Sequence, residues 1–65
     1  MKTQRLCIYP KDIQRITGKS ERSARRLLAN VKEYFGKQPH HLISAEEFAE
    51  YTGLDPALIS EYLTD

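Results

Sequence analysis

The 65-residue sequence has a single cysteine, no apolar run of membrane-spanning length, and no lysine or arginine after position 39. One cysteine excludes an intramolecular disulfide framework. Cys7, set between Leu6 and Ile8, reads as a small buried hydrophobe. No segment approaches the roughly 18 apolar residues of a membrane span, and the first residues show no signal-peptide hydrophobic stretch. The expectation is a soluble, cytoplasmic protein with no membrane partner. A glycine-rich phosphate loop and a nucleophile signature are also missing. His40 and His41 are adjacent, so they lack the i, i+4 spacing that puts two ligands on one helix face, and no metal site is expected. Glu46 and Glu47, neighbours in a first helical turn, diverge and do not face one another as an acid–base pair. Neither an enzyme nor a cofactor is expected.

A chain this short is one domain at most, residues 1–65, and buries only about 60% of its unfolded surface. Self-association is one route to further stability. The net charge of +1 hides a strong polarity. Residues 1–39 hold all ten Lys and Arg against Asp12, Glu21 and Glu33, a balance of +7. Residues 40–65 hold Glu46, Glu47, Glu50, Asp55, Glu61 and Asp65 with no Lys or Arg, a balance of −6. Such asymmetry marks a basic binding half beside an acidic one.

The two halves are nevertheless copies of one pattern. "LCIYPKDIQRITGKSERSARRLL" from Leu6 aligns without a gap on "HLISAEEFAEYTGLDPALISEYL" from His41. Ile8 falls on Ile43, Asp12 on Glu47, Ile13 on Phe48, Thr17 on Thr52, Gly18 on Gly53, Ser20 on Asp55 and Leu28 on Leu63. Each unit, about 6–36 and about 41–65, reads as a short extended lead-in, a short helix, a glycine turn and a second helix. Ser44 with Glu47 forms a capping box. Pro10 and Pro56 suit first helical positions, Ser20 and Asp55 suit N-caps, and Gly18 and Gly53 suit helix ends. Ala24, Leu27, Leu28, Val31, Tyr34 and Phe35 follow 3, 4 and 7 spacing, which predicts a helix over 20–35 with one apolar stripe. Gly36 ends it, and Lys37-Gln38-Pro39 link the units. The lead-ins 6–9 and 41–43 could pair as a two-stranded ribbon. The fold class expected is all-α, about four helices in two helix-turn-helix-like repeats.

Helix, glycine turn, second helix is the layout of a DNA-binding helix-turn-helix, whose second helix enters the major groove. In unit one that helix is basic. Arg22 and Arg26 lie opposite the apolar stripe, with Arg25 on one flank and Ser23 and Asn30 on the other. Two guanidinium forks on one face can each meet guanine O6 and N7 or grip a phosphate. Lys19 at the turn, with Lys11 and Arg15 on the first helix, suits backbone phosphates. The competing reading is a merely solvated helix face, with Arg26 and Glu33 loosely compensating. RNA is disfavoured because the basic face lacks exposed aromatics for stacking.

"YPKDIQRITGKSERSARRLL" resembles the helix-turn-helix segment of small bacterial DNA-binding proteins of excisionase-like and regulator-like kinds. The resemblance covers about 20 residues and rests on apolar positions, one glycine and a basic second helix. It implies DNA binding in transcriptional regulation or on mobile elements, and puts Ser20, Arg22, Ser23 and Arg26 in the recognition segment. The helix that usually precedes the motif is absent, and an acidic copy follows instead.

That copy cannot repeat the task. Its second helix, about 56–63, presents Ala57, Ser60 and Glu61, and the carboxylate repels phosphates. Leu54, Leu58, Ile59, Tyr62 and Leu63 either complete the core against Leu27, Val31 and Phe35 or form an oligomerisation or partner surface. A dimer would supply two half-sites. The alternative function is a protein-interaction module, in which the acidic unit binds a basic partner or another copy head to tail.

Overall fold

Each helix starts and stops where a particular residue permits it. The computed structural model describes residues 6–63; Lys2, Arg5 and Asp65, which enter the charge balance, lie outside that range. Among the described residues the chain forms α1 (Pro10–Thr17), α2 (Glu21–Tyr34), α3 (Ala45–Thr52) and α4 (Pro56–Glu61). The all-α class is as expected. Ser20 and Ser44 cap α2 and α3 by accepting from the N–H groups of Ser23 and Glu47, at 3.2 and 3.0 Å. Glu47 in turn accepts from the Ser44 N–H at 2.9 Å, completing the box. Tyr9 supplies no side-chain cap to α1; the Asp12 carboxylate accepts from its N–H at 2.9 Å instead. Asp55 caps α4 through the Ala57 N–H at 2.9 Å. Gly18 and Gly53 close α1 and α3 with φ of 76° and 79°, a conformation that strains any residue bearing a Cβ. At the end of α2 the N–H groups of Gly36 and Lys37 reach the carbonyls of Glu33 and Lys32, which is a Schellman closure.

The two units pack into one core. Ile8, Ile13, Ala24 and Val31 from unit one meet Ile43, Phe48, Ala49, Ile59 and Leu63 from unit two, all nearly inaccessible to solvent. Three of these are repeat-related pairs: Ile8 with Ile43, Ile13 with Phe48, and Ala24 with Ile59. α1 packs on α2, α3 on α4, and α2 against α3. Burying the larger of these side chains, from Val31 to Phe48, stabilises by roughly 1.5–3 kcal/mol each.

The lead-ins do pair, antiparallel, but as a single bridge and not a ribbon. Cys7 lies opposite Ser44, flanked by Ile8 N–H to Ile43 O and Ala45 N–H to Leu6 O, both 2.8 Å. In this register Ile8 faces its own repeat equivalent, so the ladder has a local two-fold relation at that pair. The counterpart of the Ala45–Leu6 bond would need an N–H at position 10, and Pro10 has none. The ladder is therefore one-sided.

Three expectations need correction, and one choice that the sequence left open is narrowed. Tyr34 is 64% exposed instead of lining the stripe. At about 100° per residue it stands about 70° from the line through Ala24 and Val31, on the edge of the stripe beyond Leu27. Of the apolar groups in the last helix region only Ile59 and Leu63 are buried; Leu54, Leu58 and Tyr62 are exposed. α4 ends at Glu61, not at residue 63, because Tyr62 and Leu63 make tight i→i−3 bonds to Ile59 and Ser60. Cys7 is half-buried, because the alternation of the extended lead-in gives the core position to Ile8.

Candidate nucleic-acid interface

The geometry of unit one begins with its turn. Thr17 Oγ1 donates to the Ile13 carbonyl at 2.6 Å and accepts from the Lys19 N–H at 3.2 Å, so one hydroxyl ties the end of α1 to the turn. Gly18 N–H closes on Gln14 O, and Ala24 N–H on Ser20 O, both 2.8 Å. The turn is thus bonded from both sides, which fixes α2 relative to α1.

All nine residues singled out from the sequence lie at the surface: Lys11, Arg15, Lys19, Ser20, Arg22, Ser23, Arg25, Arg26 and Asn30. Lys11 and Arg25 line one depression, together with Gln14. Ser20, Arg22 and Arg25 share a second. Arg22 and Arg26 occupy successive turns of one face of α2, with Ser23 and Asn30 on the flank away from Arg25. Gln14, a planar donor and acceptor at the edge of this surface, escaped the sequence reading. The signal was there, since it sits three residues after Lys11 on the same helix.

The cations divide into two groups by what holds them. Lys32 Nζ donates to Pro39 O at 2.7 Å, and Lys37 Nζ to Leu42 O at 2.8 Å and to Glu47 Oε1 at 2.6 Å. These two pin the linker to α2 and α3 and are not free for a ligand. The Lys37 hydrogen bond, followed by the Ser44 N–H, holds the Glu47 carboxyl below its ordinary value of 4.5. Arg25 pairs with Glu21 one turn away, with both side chains well exposed. This is the compensation found on α2, in place of the anticipated Arg26–Glu33 pairing. Among the described residues the side chains of Lys11, Arg15, Lys19, Arg22 and Arg26 have no hydrogen-bond or ion-pair partner.

Other polar groups are accounted for locally. His41 Nδ1 accepts from the Gln38 N–H at 3.1 Å, and its ring meets His40 edge-on with centroids 4.5 Å apart. Among the described residues no three His, Cys, Asp or Glu side chains converge on a metal-sized site. No helix among them is long and apolar enough to cross a membrane. An exposed aromatic does exist on α2: Tyr34 stands on the Ser23–Asn30 flank, edge-on to Phe35 and Tyr51 at 5.0 and 5.3 Å. It lies beside the basic face, not within it.

The repeat supplies a control for this surface. The unit-two equivalents of Lys11, Arg15, Lys19, Arg22, Ser23 and Arg26 are Glu46, Glu50, Leu54, Ala57, Leu58 and Glu61. All six of those are exposed too. No protein-family model, curated protein or solved structure matches the chain.

Proposed function

We propose that this chain binds DNA through α1 and α2, in transcriptional regulation or on a mobile element. Arg22 and Arg26 would reach base edges from the exposed face of α2. Lys11, Arg15 and Lys19 would hold phosphates, and Ser23 and Asn30 would add polar contacts on one flank. The observation that carries this reading is the division of the cations. Lys32 and Lys37 are consumed in holding the linker, whereas five cations around the helix-turn-helix project from the surface unpaired among the described residues. Unpaired exposed cations are what phosphate neutralisation and counterion release require. Ser20 contributes by capping α2, and Arg25, already paired with Glu21, contributes less than its neighbours.

The test is fluorescence anisotropy on mixed-sequence duplex DNA across a salt series. Wild type is expected to bind and to weaken as salt rises. The Arg22→Ala/Arg26→Ala double variant is expected to lose affinity, with a salt slope shallower by about one to two counterions. Absence of wild-type binding at low salt defeats the proposal. Selection from random sequences then separates base reading from simple phosphate attraction, since only the former enriches a motif.

A further inference from the structure

Leu54, Leu58 and Tyr62 are 40%, 57% and 41% exposed. Together with Ile16 at the end of α1 they line one groove, with Asp55 and Glu61 at its rim. Leu54 and Leu58 stand where unit one has Lys19 and Ser23, so the face that is cationic in one repeat is apolar and acidic in the other. Single exposed leucines are ordinary on a soluble domain; several gathered around one groove mark a contact surface.

The same molecule carries a surface of matching character. Along the Arg25 flank of α2 runs a second groove with Pro10, Leu28, Ala29 and Pro39 as its apolar part, and Arg25 and Lys32 beside them. The two grooves share no residue. We propose that the groove along α2 receives the Leu54–Leu58–Tyr62 face of a second copy of this chain, head to tail.

Charge selects that arrangement over a symmetric one. A two-fold contact between like faces would set Asp55 and Glu61 against their own copies, with no Lys or Arg after position 39 to offset them. Head to tail, those carboxylates approach Arg25, while Lys32 keeps its bond to the Pro39 carbonyl. Arg25 can exchange Glu21 for a new partner at small cost, because an exposed i, i+4 pair contributes little. Glu33 also lines the receiving groove, and Lys37 stays committed to Glu47. The apolar contact therefore supplies most of the affinity and the charges set the orientation. Because patch and groove are distinct, each copy added to an open chain leaves one of each unfilled at its ends. The contact is heterologous, and it builds an open chain or a ring instead of a closed dimer. The proposal does not depend on DNA binding, since Arg22 and Arg26 belong to neither surface.

The experiment is sedimentation equilibrium without DNA, over a range of protein and salt concentrations. It compares wild type, a patch variant Leu58→Asp and a groove variant Ala29→Glu, both at exposed positions. Wild-type mass is expected to rise past that of a dimer with concentration and to fall with salt. Each variant alone should associate at least about tenfold more weakly, a loss of about 1.4 kcal/mol. An equal mixture of the two should form a dimer and stop there, because one supplies an intact groove and the other an intact patch. Circular dichroism checks the fold, and Tyr62→Ser with Arg25→Glu serves as a second pair if either first variant unfolds. Three outcomes overturn the proposal. They are a wild type that stays monomeric, association lost in the patch variant but kept in the groove variant, and a mixture that fails to pair. A monomeric wild type that binds a Lys/Leu amphipathic peptide would assign the patch to a different protein.

Discussion

In unit one Thr17 bonds back to Ile13 and forward to Lys19, Gly18 turns left-handed, and Ser20 caps the helix that follows. In unit two Thr52 bonds back to Phe48 at 2.8 Å and forward to Leu54, Gly53 turns left-handed, and Asp55 caps. The inward positions also correspond, with Ile13 against Phe48 and Ala24 against Ile59. The outward positions reverse in charge: Lys11 stands against Glu46, Arg15 against Glu50, Arg26 against Glu61. Fold and surface are thus specified by separate residues of the same short pattern. The turn and the core set the frame, and the outward residues decide what the frame can touch.

The strongest way to break the comparison is to remove a shared core position. Phe48→Ala deletes the largest side chain with no exposed surface and is expected to cost about 3–5 kcal/mol. In a domain this small that unfolds both units together. Thermal melts followed by circular dichroism should show no folded baseline, and a surviving half would mean that the units are independent. Next comes transplanting unit two's outward residues into unit one. Arg22→Ala with Arg26→Glu is expected to remove about 1–3 kcal/mol of DNA binding per lost contact and to leave the melting temperature nearly unchanged. A matching loss of stability would show that the arginines serve the fold. Gly18→Ala and Gly53→Ala sharpen the equivalence. A methyl group added at either position would meet nothing within 4 Å, so only backbone strain acts, about 1–2 kcal/mol in each case. Unequal losses in urea titrations would mean that the turns are not equivalent.

The smallest expected effect lies in the ion pair between the linker and α3. Lys37→Met removes the partner of Glu47 and should cost up to about 1 kcal/mol at neutral pH. Glu47 has its folded pKa depressed below 4.5, so its contribution is fully present above that value. It is lost as pH falls through the lower folded pKa. Urea titrations at neutral and acid pH should therefore differ between wild type and variant at the first and converge at the second. A difference that persists in acid would assign the effect to the lost Leu42 carbonyl bond or to packing.

Much of this arrangement could be read from the sequence because it is local. Ser44 with Glu47, Pro10, Pro56, Gly18 and Gly53 act within four residues of themselves, and all stand where the local rules put them. The basic surface was readable for a similar reason: helical periodicity assigns Arg22 and Arg26 to the side away from Ala24 and Val31. What escaped depends on contacts across the fold. Nothing near Lys32 or Lys37 announces that the linker will curl back and bond them, the first through a carbonyl and the second through an ion pair. Tyr34 fits the spacing of an apolar stripe and still lies outside the core, beside Tyr51 of the other unit. Leu58 reads equally well as core or as surface until α4 stops at Glu61.

The single bridge between the lead-ins has a kinetic meaning. Contacts within each helix pair close loops of only a few residues, which form in roughly 10–100 ns. The Ile8–Ile43 bond joins residues 35 positions apart and bears a larger closure entropy. The two hairpins should therefore order early, with the bridge and the shared core locking last. Substitutions at Ile8 or Ile43 should then mainly speed unfolding, leaving the folding rate almost unchanged.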